Sequence, residues 1–489
     1  MVRESGVVGV VLNYLPTAVN YALGVAYIVV LTRYIPLVQY GYYNALFAII
    51  NSIGALIPIS GISNAIAREG AIDHVMGGDS KPYFSAMVFM SLIMAAIYGL
   101  AIVLAVPIYL GSGIPRWLLG TAYIYAGTAF IQSIAGALGL YLWLTGRVAS
   151  QGMGSTLNML VMRLTQVVLI VVVRNVYALA ISVLLGSIAQ FIYYLGSAKG
   201  IANPSLGIGI IVSRIRGLLE FGFQSWILGY MGTLGFSLLT YLVYLYLGPD
   251  FSGIYGLAAV LANVVTALGP AVSTVLSSRV SHGLGLGVNV GRIFHDYAVP
   301  TFITATLMVQ LIVLVLPVLP MVGIINGEYV RSIPYASVLL GYAPLAVIAT
   351  VYTSYYWVVG RGWYAFIANI AGLGTGVLVY IMLHSLGIYM AIASNYIMYM
   401  VILVMYRHNE GWSVRSSNVL VIGSSLLLTL LSSSLLPIGD PPISWPLAQL
   451  ISMIILLIAL YVIKPLPNSL VNQVPRFAKP FIAPFTRVD

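Results

Sequence analysis

Long apolar runs separated by short polar turns constrain this chain more than any other feature. A bilayer core contains no water for unpaired backbone groups, so segments of about 20 apolar residues can cross it only as helices. That rule marks about fourteen spans: 7–32, 42–66, 84–108, 117–144, 149–173, 176–196, 218–246, 252–278, 294–318, 333–358, 362–384, 386–406, 417–437 and 443–463. The chain is 61% hydrophobic and only 7% charged, against about 25% charged in soluble domains. An all-α polytopic membrane protein of the cell membrane is therefore expected. No small-residue cleavage site follows the first run, which reads as a retained helix.

The second constraint is an internal repeat. Gly41, Tyr43, Asn51, Ala55, Leu56 and Pro58 recur as Gly253, Tyr255, Asn263, Ala267, Leu268 and Pro270, each 212 positions later. Tyr141, Trp143, Gly146 and Arg147 recur as Tyr355, Trp357, Gly360 and Arg361, at an offset of 214. A fixed long period marks a duplicated structural unit. Six helices separate the copies, so the repeats are parallel, related about an axis along the membrane normal. The expected organisation is a six-helix lobe over 1–200, a second over 201–410, a helix pair over 411–463 and a cytoplasmic tail over 464–489. Helices 1–6 and 7–12 form the two lobes, and helices 13–14 lie outside the duplication.

Charge orients the spans. With the N-terminus inside, sixteen Lys and Arg fall in cytoplasmic segments and four (Arg33, Arg116, Arg174 and Arg331) fall outside. The positive-inside rule then predicts an even number of helices with both termini cytoplasmic. The net charge of +10 suits loops facing anionic headgroups, not nucleic acid. The absence of cysteine excludes disulfides, thiolate metal sites and cysteine nucleophiles. No metal or other cofactor is expected. The 35 tyrosines fit interfacial belts or the wall of a sugar-binding cavity.

Arg163 is the sharpest local signal. It lies inside the fifth predicted span, about 20 Å from its cytoplasmic end at 1.5 Å per residue, where a charge costs at least about 3 kcal/mol. Thr156, Arg163 and Gln166 share a helical face by spacings of seven and three. A buried guanidinium presents a planar fork of donors suited to phosphate. Its alternative role is structural, paired to backbone carbonyls or reaching toward the surface. Asn13, Thr17 and Asn20 form a second polar stripe on helix 1. Asn51 extends one on helix 2 that begins at Asn44. Such stripes face a wet cavity or bond neighbouring helices, and the recurrence of Asn51 as Asn263 favours a structural role for that pair. Pro58 and Pro270 occupy matched mid-span positions as candidate hinges. Arg68 is a candidate for meeting an entering phosphate. Glu220 is the acidic candidate for ion coupling, with an ion pair to Arg214 or Arg216 as the competing reading.

Several short motifs carry a family likeness. Arg33, Tyr34, Ile35 and Pro36 followed by Gly41, Tyr42 and Tyr43 resemble the first turn of the polysaccharide-biosynthesis (Wzx-type) flippases. Gly61, Ile62, Ser63, Asn64, Ala65 and Arg68 are similar to the family's pattern at the end of helix 2. Leu219, Glu220, Phe221 and Gly222, then Gly253, Ile254 and Tyr255, resemble its entries into helices 7 and 8. Asn326, Gly327, Glu328 and Tyr329 resemble its turn after helix 9. One departure is Gln224, where the family often has a proline. Those flippases belong to the multidrug, oligosaccharidyl-lipid and polysaccharide exporter superfamily. The resemblance implies a V-shaped membrane flippase that moves a polyprenyl (dolichyl)-phosphate-linked oligosaccharide outward by alternating access between two lobes.

Competing functions leave weaker traces. A cation-coupled multidrug antiporter of the same superfamily wants buried carboxylates, yet helices 1 and 2 hold none within their predicted spans. A membrane glycosyltransferase or polymerase wants paired acids on a larger platform. The chain has no Gly-Lys pair for a phosphate-binding motor loop, no Asp-x-Asp and no His-Glu-x-x-His. The expected partners are a polyprenyl-linked glycan and membrane lipids, with a coupling ion left open and a monomer sufficient.

Overall fold

A computed structural model describes residues 6–57, 59–110, 115–198, 203–285, 289–410, 444–464, 466 and 483–486. The helices are α1 (Gly6–Tyr34), α2 (Leu37–Leu56), α3 (Ile59–Val75), α4 (Lys81–Leu110), α5 (Arg116–Leu144), α6 (Val148–Val173), α7 (Tyr177–Ala198), α8 (Pro204–Leu247), α9 (Pro249–Thr266), α10 (Leu268–Gly285), α11 (Val290–Val315), the single turn α12 (Val318–Met321), α13 (Ser332–Leu340), α14 (Ala343–Val358), α15 (Gly362–Leu383), α16 (Ile388–Glu410) and α17 (Ser444–Ile463). The chain is an all-α, multi-pass membrane protein. Among the described residues no strand occurs, only one bridge between Leu466 and Thr486.

Nine of the described helices are long and apolar enough to cross a membrane, and two bent pairs raise the number to eleven. The bent pairs are Leu37–Leu56 with Gly61–His74, at 48°, and Gly327–Leu340 with Ala343–Val358, at 46°. Two further predicted spans coincide with shorter apolar helices, Leu234–Leu247 and Gln449–Val462. The predicted span 417–437 lies outside the described residues. The predicted span 42–66 is longer than expected and broken, because it runs from Leu37 to Val75 with Ile57 in extended backbone between its halves. Likewise the prediction 218–246 captures only the apolar end of α8, whose 44 residues extend about 66 Å at 1.5 Å per residue.

Local chemistry sets the boundaries. Pro36 (φ −60) and Pro115 (φ −59) precede α2 and α5, each at the φ that the proline ring fixes. Asn203 caps α8 by accepting from the Ser205 amide, with Pro204 in the first turn, and Asn289 caps α11 by accepting from the Gly291 and Arg292 amides. The two Gly-Arg turns close in the same way. Gly146 (φ +77) and Gly360 (φ +80) take the left-handed region. The Arg147 amide then donates to Leu142 (2.7 Å) and the Arg361 amide to Tyr356 (2.8 Å). These are six-to-one bonds that end a helix at a glycine.

The repeat is visible in the elements themselves. Shifted by 212, the start of α2 falls on that of α9; shifted by 214, the start of α6 falls on that of α15. Gly41 and Gly253 show what the repeated glycines do. A side chain at Gly41 would overlap the Pro249 backbone, and one at Gly253 would overlap the Leu37 carbonyl. Leu37 and Pro249 are themselves one repeat apart.

The chain packs as two compact units, Met1–Gly253 with Ile324–Glu328, and Ile254–Gly323 with Tyr329–Asp489. The boundary differs from that of the repeat, which assigns 201–410 to the second lobe. Within the first unit α8 packs against α2, α3 and α4. The α3–α8 crossing is made close by glycine: a Cβ at Gly61 would strike the Gly222 carbonyl and Trp226. Small residues permit such backbone approach between spanning helices. Around it lie buried Ala65, Ile66, Tyr83, Met87, Leu144 and Leu218. In the second unit α14 packs against α10, α11, α15 and α16. Its core is aromatic, with Phe294 centred 4.7 Å from Tyr352 and 4.6 Å from Tyr355, and Tyr356 stacked 4.8 Å from Tyr406. The Tyr406 hydroxyl pairs with Thr353 (2.8 Å) and accepts from the Asn369 amide (3.1 Å). Many tyrosines are therefore buried in the units. A hydroxyl that finds a partner lets the ring be buried.

Candidate functional site

Arg163 sits on α6, sixteen residues beyond the Arg147 turn, in a helix whose whole length qualifies as a span. It is half-buried. Its Nε and Nη2 donate to Asn20 Oδ1 of α1, at 2.8 and 2.6 Å, and its Nη1 donates to Gln166 Oε1 at 2.9 Å. The guanidinium carbon lies 4.7 Å from the centre of the Tyr27 ring, within range of a cation–π contact. Three of the five guanidinium N–H groups are thus spent on neutral acceptors. Among the described residues no carboxylate forms an ion pair with Arg163. A full positive charge inside a span is held here by two amides and an aromatic face, with two donors left over.

Farther back along α6, Gln151 and Ser155 line a cavity of about 500 Å³ within the first unit. Each of six helices contributes polar atoms to it: Asn51 from α2, Asn64 from α3, Tyr98 from α4, Gln132 from α5, Gln151 from α6 and Tyr194 from α7. None of its lining residues is charged. One wall is braced by hydrogen bonds between α6 and α7. Asn158 donates to Gln190 (2.7 Å), Gln190 donates to the Tyr194 hydroxyl (3.2 Å), and that hydroxyl donates to the Gln151 carbonyl (2.7 Å). Gly154 allows α7 this close, since a side chain there would overlap the Tyr194 ring.

The remaining predicted residues divide. Asn20, Arg163 and Gln166 meet as one cluster. Thr156 is buried on the same helix but donates to the Gly152 carbonyl (2.9 Å), so its hydroxyl is satisfied by its own backbone and does not join. Thr17 is exposed, and Asn13 lies where only the backbone of α1 is described. Asn51 lines the cavity while its repeat partner Asn263 is exposed, so the two are not equivalent. Pro58 lies outside the described residues. Pro270 stands in the first turn of α10, just past a break at Ala267, where its missing N–H costs no helical bond.

Arg68 is exposed and pairs with Glu69 at 3.2 Å. Glu220 is exposed and forms no ion pair among the described residues. Arg214 instead reaches α3, with Nη1 2.9 Å from Glu69 and Nη2 3.0 Å from Asp73. The Tyr83 hydroxyl of α4 also donates to Asp73. The expected pairing of Glu220 with Arg214 fails because six residues turn a helix through about 600°, which points the two side chains apart. Partial desolvation lowers the Arg214 pKa, but nearby Tyr83, Asp73 and Glu69 outweigh it, and the net direction is upward.

Comparison with known proteins gives the fold a relation. No family model matches the chain, and no curated protein matches it. Solved structures do. The lipid II flippase MurJ, in an inward closed conformation, aligns over 92% of this chain and 98% of its own, with a TM-score of 0.67 at 14% identity. An inward-facing multidrug resistance MATE family transporter of the MOP superfamily covers 83% and 98%, with a TM-score of 0.62 at 15% identity. A MOP superfamily transporter from Pyrococcus furiosus covers 86% and 95%, with a TM-score of 0.56 at 14% identity. The chain shares the fold of these proteins. At these identities the likeness is one of architecture, and function must be argued from the residues.

Proposed function

We propose that this protein is a flippase of the Wzx type, translocating a polyprenyl (dolichyl)-phosphate-linked oligosaccharide to the outer leaflet of the cell membrane by alternating access. The observation that carries the reading is Arg163: a guanidinium within a span, partnered among the described residues by Asn20, Gln166 and Tyr27 and by no carboxylate. An uncompensated charge in a bilayer is retained where it has a task, and a forked donor matches a phosphate or pyrophosphate group. The substrate site we assign comprises Arg163, Asn20 and Gln166, with Asn51 on the cavity wall. The structural likeness to a lipid II flippase supports a lipid-linked cargo as the kind of substrate this fold can carry.

The alternative is cation-coupled drug export, in keeping with the MATE neighbours. It finds less support here. The cavity wall holds no carboxylate, and Arg163 repels a cationic drug. A membrane glycosyltransferase finds less still: the acids Glu69 and Asp73, neighbours on one helix, are both bound to Arg214.

Reconstitution in vesicles separates these readings. Translocation of a fluorescent polyprenyl-pyrophosphate disaccharide is measured beside proton-driven export of an organic cation such as tetraphenylphosphonium. Movement of the lipid-linked sugar alone is the expected result. Export of the cation without movement of the lipid would overturn the proposal.

A further inference from the structure

We infer that the uncharged cavity lined by α2 to α7 is a second recognition site, one for the neutral saccharide portion of the cargo, separate from the anion site at Arg163. The inference rests on the flippase reading above and assigns it a sugar-binding wall.

The chemistry of the lining selects the ligand. The side-chain amides of Asn51, Asn64, Gln132 and Gln151 face the cavity and make no hydrogen bond to another described residue. Asn64 and Gln132 are exposed. Accessible amides in a spanning bundle face water or a ligand, because hydrocarbon leaves them unsatisfied. An amide offers a donor and an acceptor side by side, and so does each hydroxyl of a sugar. Four such groups on four helices match a polyhydroxylated molecule better than a point charge. No acid is present to hold a cation, and no base to hold an anion. The volume of about 500 Å³ falls within the roughly 300–1,000 Å³ of small-molecule sites, enough for a short saccharide and too little for a long one.

The two sites are also spaced for one ligand. Ser155 on the cavity wall and Arg163 are eight residues apart on α6, about 12 Å along the axis. Gln166 points to nearly the same side of the helix as Ser155, being eleven residues, or about three turns, farther on. A phosphate at Arg163 and the first sugars beyond it therefore fall along one helix.

The natural absence of cysteine permits a direct test. Ser133 of α5 lines the cavity, and Ser133→Cys changes little more than one atom. In nanodiscs, free of sugar-headed detergents, the rate of N-ethylmaleimide labelling is measured with maltose or N,N′-diacetylchitobiose present. At ten times the Kd of the sugar, occupancy should slow labelling about tenfold, while a Ser213→Cys thiol on the exposed face of α8 reacts at an unchanged rate. Gln132→Leu and Asn64→Leu, introduced singly into the Ser133→Cys chain, should abolish the protection. Unchanged labelling with every disaccharide would overturn the inference, as would protection by tetraphenylphosphonium or inorganic pyrophosphate instead. Sugar protection without translocation of the lipid-linked form would keep the cavity and remove the flippase. Translocation without sugar protection would do the reverse.

Discussion

Replacing Arg163 separates a substrate contact from a structural one, because the two roles predict opposite losses. Three of its donors already serve Asn20 and Gln166, which leaves two for a phosphate. A hydrogen bond to a charged group is worth about 1.5–3 kcal/mol. Two such bonds amount to about 3 kcal/mol at the lower bound, and every 1.4 kcal/mol is tenfold in affinity. Arg163→Ala should therefore weaken binding of farnesyl pyrophosphate in nanodiscs by about a hundredfold or more. Arg163→Lys keeps the charge and loses the fork, so about a tenfold loss is expected. Stability follows a different account. Truncation strands the buried Gln166 carbonyl oxygen and that of Asn20, at about 1–3 kcal/mol for an unsatisfied buried group. The double variant Arg163→Met with Gln166→Leu removes most of that penalty by eliminating the stranded acceptor, yet should bind no better than Arg163→Ala. Binding is read by equilibrium titration of radiolabelled farnesyl pyrophosphate, stability by thermal melting. Affinity within twofold of the parent in Arg163→Ala, alongside a lowered melting temperature, would refute the anion-site argument and leave a structural arginine.

Three further outcomes are expected. Arg214→Ala removes two partly exposed ion pairs, each worth about 0–1 kcal/mol, so it should lower the melting temperature at low salt. The gap should close near 1 M salt, where the screening length is about 3 Å. Gly61→Val forces a side chain into the Gly222 carbonyl, and overpacking of that kind costs about 1–3 kcal/mol or more, seen as loss of folded protein on size-exclusion chromatography. Tyr194→Phe strips the hydroxyl that joins Gln190 to the Gln151 carbonyl and should destabilise the first unit by about 1–3 kcal/mol, with hydrogen exchange rising in α6 and α7.

Much of this architecture could be read before any coordinates, for a physical reason. The bilayer admits so few backbone solutions that apolar length alone locates most helices. Helix ends with their own chemistry, such as Gly146 and Gly360, were legible for the same cause. The 48° bend of the second span has Pro58 in its gap, a position the sequence does mark as a candidate hinge, whereas the extension of that span to Val75 carries no compositional mark. The start of α8 at Pro204 was not legible either, since Arg214, Arg216 and Glu220 interrupt the apolar run on which the span rule depends. Within the site, the pairing of Arg163 with Gln166 follows from a spacing of three on one helix. Its bond to Asn20 crosses 143 residues, and no local pattern announces that. The cavity was legible only at Asn51, because each helix lends it only one or two polar side chains, too few to make a stripe elsewhere. The Arg214 clasp was misassigned because proximity in sequence stood in for direction around a helix.

The glycines at 41 and 253 carry a further consequence. Gly41 meets Pro249 and Gly253 meets Leu37, so residue i of one copy touches residue j of the other, and j touches i in return. That reciprocity defines an isologous interface, the kind by which identical subunits pair about a two-fold axis. Between two separate halves, contacts of this reciprocal kind would form only by association. Gene fusion then turns an association that depended on concentration into one fixed by covalent connection, and leaves each half free to diverge. The asymmetry between cavity-lining Asn51 and exposed Asn263 is what such freedom permits once the seam is held, by the two close-approach glycines and by Asn44, whose amide donates to the Ser252 carbonyl.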